Sequence, residues 1–370
     1  MTRLAARERM LIMVAGLVSI AALSADTVRR EPHPRDAISA IIAAFDTHRA
    51  VLLGEAHWSV TQHRFIQRLL RDSRLAGRVD DIAVEFANSR YQPLIDRYIA
   101  GERVPADSLR QAWQNTIVAM AWDPPMYADF FRTVREVNLG LPPARRFRVL
   151  ALDPPIAWDS THAIADIPRR WGYRDPVWMD VLEREVFARQ RHVLVICGAL
   201  HIIRREPTAA FLPASLDRAG LGDALQQRHP GASYAIFPAI GTHGVAALVK
   251  HWPAATLEDI QGTAIGTVNS HVLMPGDVVV FSMVDGKRVP RPLTDSDFPK
   301  VEQMVDAIIY YGPDTSLAKP VLTSYRDRAY VAELHRRSAI VQPIFGQDLD
   351  PVIDSLAKAA RARGAPDPND

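Results

Sequence analysis

The 370-residue sequence predicts an α/β fold with a central, mainly parallel sheet and helices on both faces. Short apolar runs alternate with longer amphipathic stretches, which is the pattern of repeated strand–helix–strand units. Several runs are continuous in Val, Ile and Leu, as expected for strands that are buried on both faces. The sequence contains no internal repeat and no long Gly/Ser linker, so we expect a single domain over residues 35–345.

The apolar runs and the helical patterns can be placed in order along the chain. The runs predicted as strands are 50–53, 81–86, 148–152, 192–197, 233–237, 278–281 and 307–311. Helices are predicted at 60–70, 91–100, 125–137 and 177–188. Ser59 is expected to cap the first of these helices, in which His63 and Ile66 share one apolar face. Residues 361–370 are predicted to form a flexible tail.

The composition excludes several classes of protein. Apolar residues make up 48% of the chain, which excludes wholesale disorder. The 44 Lys and Arg residues are balanced by 42 Asp and Glu residues, so the positive footprint of a nucleic-acid-binding protein is missing. The single cysteine, Cys197, excludes a disulfide framework and any multi-cysteine metal site, and is expected to be an inert buried thiol.

Residues 1–25 have the layout of a secretory signal. Three arginines precede the apolar run at 10–23, and small residues follow it. The run is shorter than the roughly 20 apolar residues that a membrane-spanning helix needs. We therefore expect cleavage near Ala25 and export to the periplasm or beyond, with no stable membrane insertion afterwards. An uncleaved N-terminal anchor is the alternative.

Polar side chains follow four consecutive strands of the predicted sheet. The first strand continues into GEAH at 54–57, and the fourth continues into GALH at 198–201. Glu85 lies near the end of the second strand, and Asp153 follows the third. Because ligands bind outside the carboxyl ends of parallel strands, we expect these residues to meet at one edge of the sheet.

The two motifs indicate acid–base or metal chemistry. The glycine that opens each motif is expected to adopt backbone angles that other residues disfavour. His57 is predicted to act as a general base supported by Glu55 or Glu85, with His201 as an acid. A divalent metal ion held by His57, His201 and Glu85 fits the same residues equally well.

Four further residues are predicted to contact the substrate or to support this set. They are Trp58, His63, Arg90 and Asp153. Arg90 is expected to bind an anionic group, because a guanidinium matches carboxylate or phosphate oxygens. His63 follows His57 closely in the chain and is expected to support it.

Several of these residues also have a purely structural interpretation. Glu55 could cap the following helix, and Asp153 precedes two prolines in a common turn sequence. His63 could simply pack, and His201 could be an ordinary loop histidine. Glu85 is harder to explain in this way, because an unpaired buried carboxylate costs several kcal/mol. No role is assigned to four other histidines, His229, His243, His251 and His271.

The motifs of several enzyme classes are missing from the sequence. It contains no G-x-S-x-G, no Walker A lysine loop, no G-x-G-x-x-G and no H-E-x-x-H. Ordinary serine hydrolases, nucleotide-binding enzymes and thermolysin-like proteases are therefore disfavoured.

The two G-x-x-H motifs, each after an apolar strand and with Glu85 between them, resemble the erythromycin esterase/ChaN-like superfamily, which includes the TIKI/TraB proteins. The run VLLGEAH at 51–57 resembles the opening of the ChaN-like branch, and DAIIYYGP at 306–313 resembles its closing strand. The stretch at 85–102 resembles a subgroup of exported bacterial proteins. The resemblance covers residues 50–313.

The resemblance implies a mainly parallel sheet with a site at its carboxyl edge. In the esterase members a glutamate and a histidine activate water, and by motif these roles fall to Glu55 and His57, assisted by Glu85 and His201. Only Ala56 separates the first pair here, which is the ChaN and TIKI spacing rather than that of the macrolide esterases. The resemblance therefore favours metal-dependent hydrolysis or haem binding over macrolide hydrolysis.

Two functions from different classes follow from these observations. The first is an exported hydrolase that acts on a small-molecule or peptide substrate, with a divalent metal ion as a possible cofactor. The second is a haem- or metal-binding protein without turnover, in which an imidazole serves iron axially. The sequence does not indicate the oligomeric state.

Overall fold

The computed structural model describes residues 29–204, 220–241, 244–274, 280–284, 287–291, 299–346 and 348–362. The leader predicted at 1–25 lies outside the described residues, as do residues 363–370 of the predicted tail. The strands are β1 (Arg35–Asp36), β2 (Ala50–Glu55), β3 (Asp81–Asn88), β4 (Arg148–Asp153), β5 (Val193–Gly198), β6 (Ser233–Pro238), β7 (Thr256–Asp259), β8 (Val280–Val284), β9 (Lys287–Arg291) and β10 (Ala307–Tyr310). The helices are α1 (Ala37–Ala44), α2 (Val60–Arg71), α3 (Gln92–Ile99), α4 (Ala106–Gln114), α5 (Pro125–Leu139), α6 (Asp175–Leu182), α7 (Leu221–Arg228), α8 (Gly244–Val249), α9 (Val301–Met304), α10 (Arg328–Phe345) and α11 (Asp350–Ala362).

Eight strands form the central sheet, in the order β1-β7-β10-β6-β2-β5-β3-β4. All neighbouring strands from β10 to β4 run parallel, and only β7 and β1 at one edge pair antiparallel. The predicted α/β fold with a mainly parallel sheet is therefore confirmed. The strand order places β2, β5 and β3 side by side, so their carboxyl ends meet at the middle of one edge.

Helices cover both faces of the sheet because successive strand residues point to opposite sides. Val51 and Leu53 of β2 belong to one core with α1, α2 and α5, whereas Leu52 belongs to the other core with α6 and α7. Cys197 on β5 is fully buried in the second core, and burial raises the pKa of its thiol well above the ordinary value.

The predicted helix after Ser59 is present. The Ser59 side chain accepts a hydrogen bond from the backbone N–H of Gln62 at the start of α2, and the face that contains His63 and Ile66 is buried. This short link between β2 and α2 holds the loop that carries His57.

The predicted strand at 278–281 differs from the observed structure. Its described part belongs to β8, which pairs antiparallel with β9 in a separate two-stranded sheet and not with the central one. The apolar run alone does not specify a partner strand. The two antiparallel strands β1 and β7 were not predicted, because they are short and partly polar.

The helices α10 and α11 pack on the segments that follow α4 and β4. Ile340 and Val341 of α10 share a core with Ile117 and Trp158, and Ile353 of α11 packs near Tyr325. The Tyr325 hydroxyl donates to the buried Asp123 carboxylate at 2.5 Å. Within the described ranges, no helix has the length and apolarity needed to cross a membrane.

Candidate active site

Glu55 is the last residue of β2 and pairs in register with Gly198 of β5. Its Oε1 accepts hydrogen bonds from the Tyr127 hydroxyl at 2.7 Å and from His63 Nε2 at 2.9 Å. His57 Nδ1 lies 3.7 Å from the same oxygen, just beyond hydrogen-bonding distance. The other oxygen, Oε2, is buried and has no hydrogen-bond partner among the described residues. Glu55 is therefore held firmly through one oxygen, while the other is buried without a partner.

Glu55 and His57 favour each other's charged forms. Burial raises the pKa of Glu55, but the imidazoles of His57 and His63 outweigh this effect and hold its pKa below the ordinary value. Burial also lowers the pKa of His57, but the carboxylates of Glu85 and Glu55 outweigh it, so the pKa lies above the ordinary 6.5. The result is a histidine of increased basicity beside a carboxylate that stays ionised.

The Gln62 side chain braces the backbone of this loop. Its Nε2 donates to the carbonyl of Gly54 at 2.6 Å, and its Oε1 accepts from the N–H of Ala56 at 2.7 Å. Both sides of Glu55 are thus tied to the first turn of α2. This fixes the direction in which the Glu55 and His57 side chains leave the strand.

Glu85 lies where β3 departs from regular pairing with β4. The register shifts between Val84 and Asn88, and irregularities of this kind re-aim a side chain. The Glu85 carboxylate is completely buried. Its Oε2 accepts from the N–H of Gly198 at 2.5 Å, and its Oε1 accepts from a guanidinium nitrogen of Arg174 at 2.8 Å. Glu85 therefore has the partner that a buried carboxylate requires.

Arg174 connects the carboxylates to the second histidine. One nitrogen contacts Glu85 and lies 3.6 Å from Asp153 Oδ1, and the other lies 3.3 Å from His201 Nε2. The guanidinium stacks over the Trp178 ring, 5.0 Å from its centroid. Burial raises the pKa of Glu85, but the charges of Arg174, His57 and His201 and the hydrogen bond from Gly198 together outweigh this effect, and the pKa of Glu85 falls below its ordinary value.

His201 is held from the opposite side by Asp175, the first residue of α6. Its Nδ1 lies 2.8 and 2.9 Å from the two Asp175 oxygens, and Asp175 Oδ1 also accepts from the N–H of Leu221 at 2.8 Å. Because a carboxylate accepts only, Nδ1 carries the hydrogen, and Nε2 is left to accept from Arg174.

The two histidines lie on either side of Gly198. A Cβ placed on Gly198 would come within 3.0 Å of His57 Nε2 and 3.3 Å of His201 Cδ2. A Cβ on Gly54 would lie 2.9 Å from the Pro238 ring. The prediction that these glycines adopt unusual backbone angles is wrong, since neither has a positive φ and that of Gly198 is −47°. They are glycines because a side chain would not fit.

Backbone strain is concentrated around the site. Five non-glycine residues among those described have a positive φ, and two of them adjoin the histidines: Trp58 at 67° and Arg174 at 44°. A third, Met120 at 65°, lies two residues before Trp122, which packs on His57. Such conformations persist only when the surroundings enforce them, and they are typical of functional sites. The Trp58 ring, for example, is held by a 2.6 Å hydrogen bond from Nε1 to the carbonyl of Ala121.

The four residues predicted to support the site have different environments. His63 is buried and bonded to Glu55, so it does more than pack. Trp58 is exposed beside His57. Asp153 is completely buried, accepts from the N–H of Ile117 at 2.7 Å, and has a pKa that burial raises to about 7.

Arg90, the fourth of these residues, lies in the short 3-10 helix that follows β3. Its backbone N–H donates to the side chain of Asn88, and its own side chain is exposed. Among the described contacts, none joins the Arg90 guanidinium to another residue of the site. The guanidinium that contacts Glu85 belongs to Arg174.

The predicted metal ligands do not form a metal-binding arrangement. The oxygens of Glu85 are bonded to Arg174 and to a backbone N–H, and Asp175 holds Nδ1 of His201. The positive guanidinium between Glu85 and His201 repels a metal cation. Across the described part of the chain, no group of three His, Cys, Asp or Glu side chains could hold a metal ion. A divalent metal at His57, Glu85 and His201 therefore does not fit.

Four residues that shape the site were not predicted from the sequence: Gln62, Tyr127, Arg174 and Asp175. Arg174 and Asp175 precede Pro176, and acid–proline is an ordinary helix start, so no signal marked them. The helical spacing that placed His63 on the inner face of α2 could have drawn attention to Gln62, one residue before it.

The unassigned histidines have other contacts. His229 stacks on Phe187 with 3.8 Å between ring centroids and bonds Glu183, and His271 contacts Asn269. The ring of His251 lies 6.5 Å from that of Trp252. His243 lies outside the described residues.

One family model matches part of the chain. A family model described as haem-binding uptake, Tiki superfamily, ChaN matches residues 41–157, which include Glu55, His57 and Glu85. No curated protein matches the chain.

Three solved structures resemble the fold at low identity. A succinoglycan biosynthesis protein shares 10% identity over 76% of this chain and 94% of its own, with a TM-score of 0.48. A Bacillus cereus protein shares 10% identity over 78% and 97%, with a TM-score of 0.42. The type III effector HopBA1 shares 13% identity over 78% and 100%, with a TM-score of 0.37.

Proposed function

We propose that the chain is a ChaN-like, Tiki-related protein, since a family model of that description matches residues 41–157. We propose further that it is an exported hydrolase in which His57, supported by Glu55, activates water, while His201, held by Asp175, orients Arg174 at the substrate carbonyl. The observation that carries the proposal is the arrangement of His57 beside Glu55 and of His201 on Asp175, on either side of Gly198. Histidines that are close together and are each paired with a carboxylate are typical of general acid–base catalysis.

His57 is the general base of this proposal. Its side chain is 41% exposed, and its Nε2 has no hydrogen-bond partner among the described residues, so a water molecule can reach it. Its raised pKa makes it a stronger base than an ordinary histidine, and the ionised Glu55 stabilises the imidazolium that forms. His63 and Tyr127 hold Glu55 in place for this task.

Arg174 and His201 act on the substrate carbonyl. The guanidinium provides positive charge beside the cleft, where it stabilises the negative oxygen of a tetrahedral intermediate. Asp175 fixes the orientation of His201, and His201 in turn orients Arg174. Glu85 anchors Arg174 from below, which keeps the guanidinium from swinging into solvent.

The reaction balances without another reactant. Water attacks the carbonyl carbon as His57 Nε2 accepts one of its protons, and a carbon–oxygen bond forms. The intermediate then expels the leaving group as His57 returns the proton to it. An ester thus gives a carboxylic acid and an alcohol.

A panel of p-nitrophenyl esters tests the proposal. We expect the purified protein to hydrolyse at least one of them, and His57→Ala to lower kcat/KM by about 10²–10⁴. His229→Ala is the matched control, because His229 also bonds a glutamate but lies on Phe187. Equal activity in wild type and His57→Ala would refute the role of His57.

A second candidate is haem binding, which the description of the matching family names. His57 fits the group, because its side chain is exposed and its imidazole would hold the haem iron. Haem would supply redox or carrier chemistry, and the chain would bind and orient it through His57. Titration with haemin tests this, with the expectation of a Soret shift in wild type that His57→Ala abolishes. An unchanged spectrum in wild type would remove this candidate.

Export is part of the first proposal and rests on the basic start and apolar run of residues 1–25. N-terminal sequencing of the protein from the exported fraction is expected to begin after Ala25. A mature protein that begins at Met1 would contradict it.

A further inference from the structure

Three residues of the site each have, as a neighbour in the chain, a large apolar side chain that is 37–44% exposed. These pairs are His57–Trp58, Leu200–His201 and Tyr173–Arg174. Single exposed apolar residues are common on protein surfaces and need no explanation. Here, however, the described residues contain nine exposed large hydrophobic side chains, and three of them adjoin the few residues that carry the chemistry.

The contacts of Trp58 place its ring beside His57. Its indole nitrogen donates to the carbonyl of Ala121 at 2.6 Å, and the next residue, Trp122, packs its ring edge-on against His57 at 5.0 Å. The carbonyl of Trp58 also accepts from the N–H of Ala318 at 2.8 Å. This bond brings Leu317, which is 60% exposed, alongside Trp58.

The segments that carry Trp58, Trp122 and Leu200 are uncharged. Residues 56–63, 115–122 and 199–203 contain no Asp, Glu, Lys or Arg, although these four types make up 23% of the chain. The charged groups beside the histidines are paired with one another: the Arg174 guanidinium faces the buried carboxyl groups of Glu85 and Asp153. The side chains exposed around His57 are therefore apolar. Together with the imidazole of His57, they form the surface that an approaching molecule meets.

We infer that the substrate carries an uncharged, apolar acyl group, which packs on Trp58 and Leu200 while its carbonyl carbon lies at His57. The inference rests on the proposed hydrolysis and names its substrate class. The surface formed by Trp58 and Leu200 favours an apolar chain. Such a chain gains free energy when its surface leaves water, and it meets no charge on Trp58 or Leu200 that would need a partner. A carboxylate-bearing or cationic chain would lose its hydration there without compensation.

A chain-length series of p-nitrophenyl esters from acetate to octanoate measures the effect. We expect kcat/KM to rise roughly threefold for each added CH₂ until the apolar surface is covered. Leu200→Ser is expected to reduce this slope. Leu139→Ser is the matched control, because Leu139 is also an exposed leucine but lies at the end of α5, and its slope is expected to equal that of wild type.

Binding without turnover provides an independent measurement. The ketone 2-decanone has a carbonyl and an apolar chain but cannot be hydrolysed, and 2-butanone is its short counterpart. We expect 2-decanone to displace 1-anilinonaphthalene-8-sulfonate from wild type and Leu139→Ser at a concentration at least tenfold lower than 2-butanone does. In Leu200→Ser the ratio between the displacing concentrations of the two ketones is expected to be smaller.

The outcomes separate the two proposals. Ester hydrolysis with a flat chain-length profile overturns the apolar acyl group and leaves the hydrolase in place. Preferential binding of 2-decanone without cleavage of any ester supports the apolar site and counts against the hydrolase. Equal affinity for the two ketones, or a slope that Leu139→Ser reduces as much as Leu200→Ser does, overturns the inference.

Discussion

Asp175 holds Nδ1 of His201 with both of its carboxylate oxygens, at 2.8 and 2.9 Å, and this contact determines which ring nitrogen faces Arg174. Asp175 is itself fixed by the N–H of Leu221. The orientation of His201 therefore depends on a residue that lies in a different helix and 26 positions earlier in the chain.

Asp175→Asn is expected to reverse the tautomer of His201. The asparagine oxygen would keep the N–H of Leu221, so its NH₂ group would donate to Nδ1 and force the hydrogen onto Nε2, where it meets the N–H groups of Arg174. We expect kcat/KM to fall by about 10²-fold or more and the ¹⁵N shifts of His201 to exchange. Asp180→Asn, in an exposed ion pair on the same helix, is the control. Unchanged ¹⁵N shifts in Asp175→Asn would contradict the argument.

Glu55→Gln is expected to lower the pKa of His57. Nearby carboxylates raise that pKa, so removal of one negative charge destabilises the imidazolium, and a decrease of about one unit is expected. NMR titration of the His57 ring measures it directly, and the rising limb of the pH profile of kcat/KM should move to lower pH with it. Glu136→Gln, on the exposed side of α5, should leave the His57 titration where it is. If the pKa of His57 is also unchanged in Glu55→Gln, the Glu55 carboxylate has no influence on His57.

Gly198→Ala is expected to impair activity while the protein stays folded. The new methyl group would lie 3.0 Å from His57 Nε2, and the exposed imidazole can rotate away from it. Because small displacements of catalytic groups are costly, we expect kcat/KM to fall roughly tenfold to a hundredfold. Gly140→Ala places a methyl group in ordinary contact, 3.5 Å from a carbonyl, and serves as the control for both kcat/KM and Tm. Full activity of Gly198→Ala would show that the spacing of the histidines is not critical.

Asp153→Asn is expected to change how stability depends on pH. The folded-state pKa of Asp153 is raised to about 7 from an ordinary 3.8, so the wild-type fold binds a proton that the unfolded chain releases. That contribution is fully present below the ordinary pKa and is lost as pH rises through 7, whereas Asn has no such dependence. The free energy of unfolding of the variant minus that of wild type should therefore rise by about 2 kcal/mol from pH 5.5 to pH 8.5. Denaturant unfolding at the two pH values measures it, and parallel curves would contradict it.

The sheet was predictable from the sequence because its buried strands leave a strong pattern. The apolar run of β2 starts at Ala50, as predicted, and ends within two residues of the predicted position. The strand β7 was not predictable, since it has only four residues and two of them, Glu258 and Asp259, are charged. The hairpin of β8 shows the other limit, because an apolar run does not state which strand it will pair with.

The site was only partly predictable, and its residues divide by their distance in sequence from the strand ends. Glu55, His57, Glu85 and His201 stand at or just after strands, so the topology rule could place them together. Arg174 and Asp175 come from a loop of no particular pattern and reach the site only through tertiary folding. The expected metal ion followed from residue types alone, and without Arg174 the sequence could not reveal the cation that already lies beside Glu85.

Arg174 and Asp175 are consecutive residues, yet the guanidinium of the first bonds Glu85 and the carboxylate of the second bonds His201. Both contacts therefore depend on the first turn of α6. A fluctuation that lifts this turn from the sheet would break both bonds together, so the Arg174–Glu85 and Asp175–His201 contacts form and break as one unit. The amide of Leu221, which Asp175 also holds, becomes free to exchange its hydrogen with solvent in that same event.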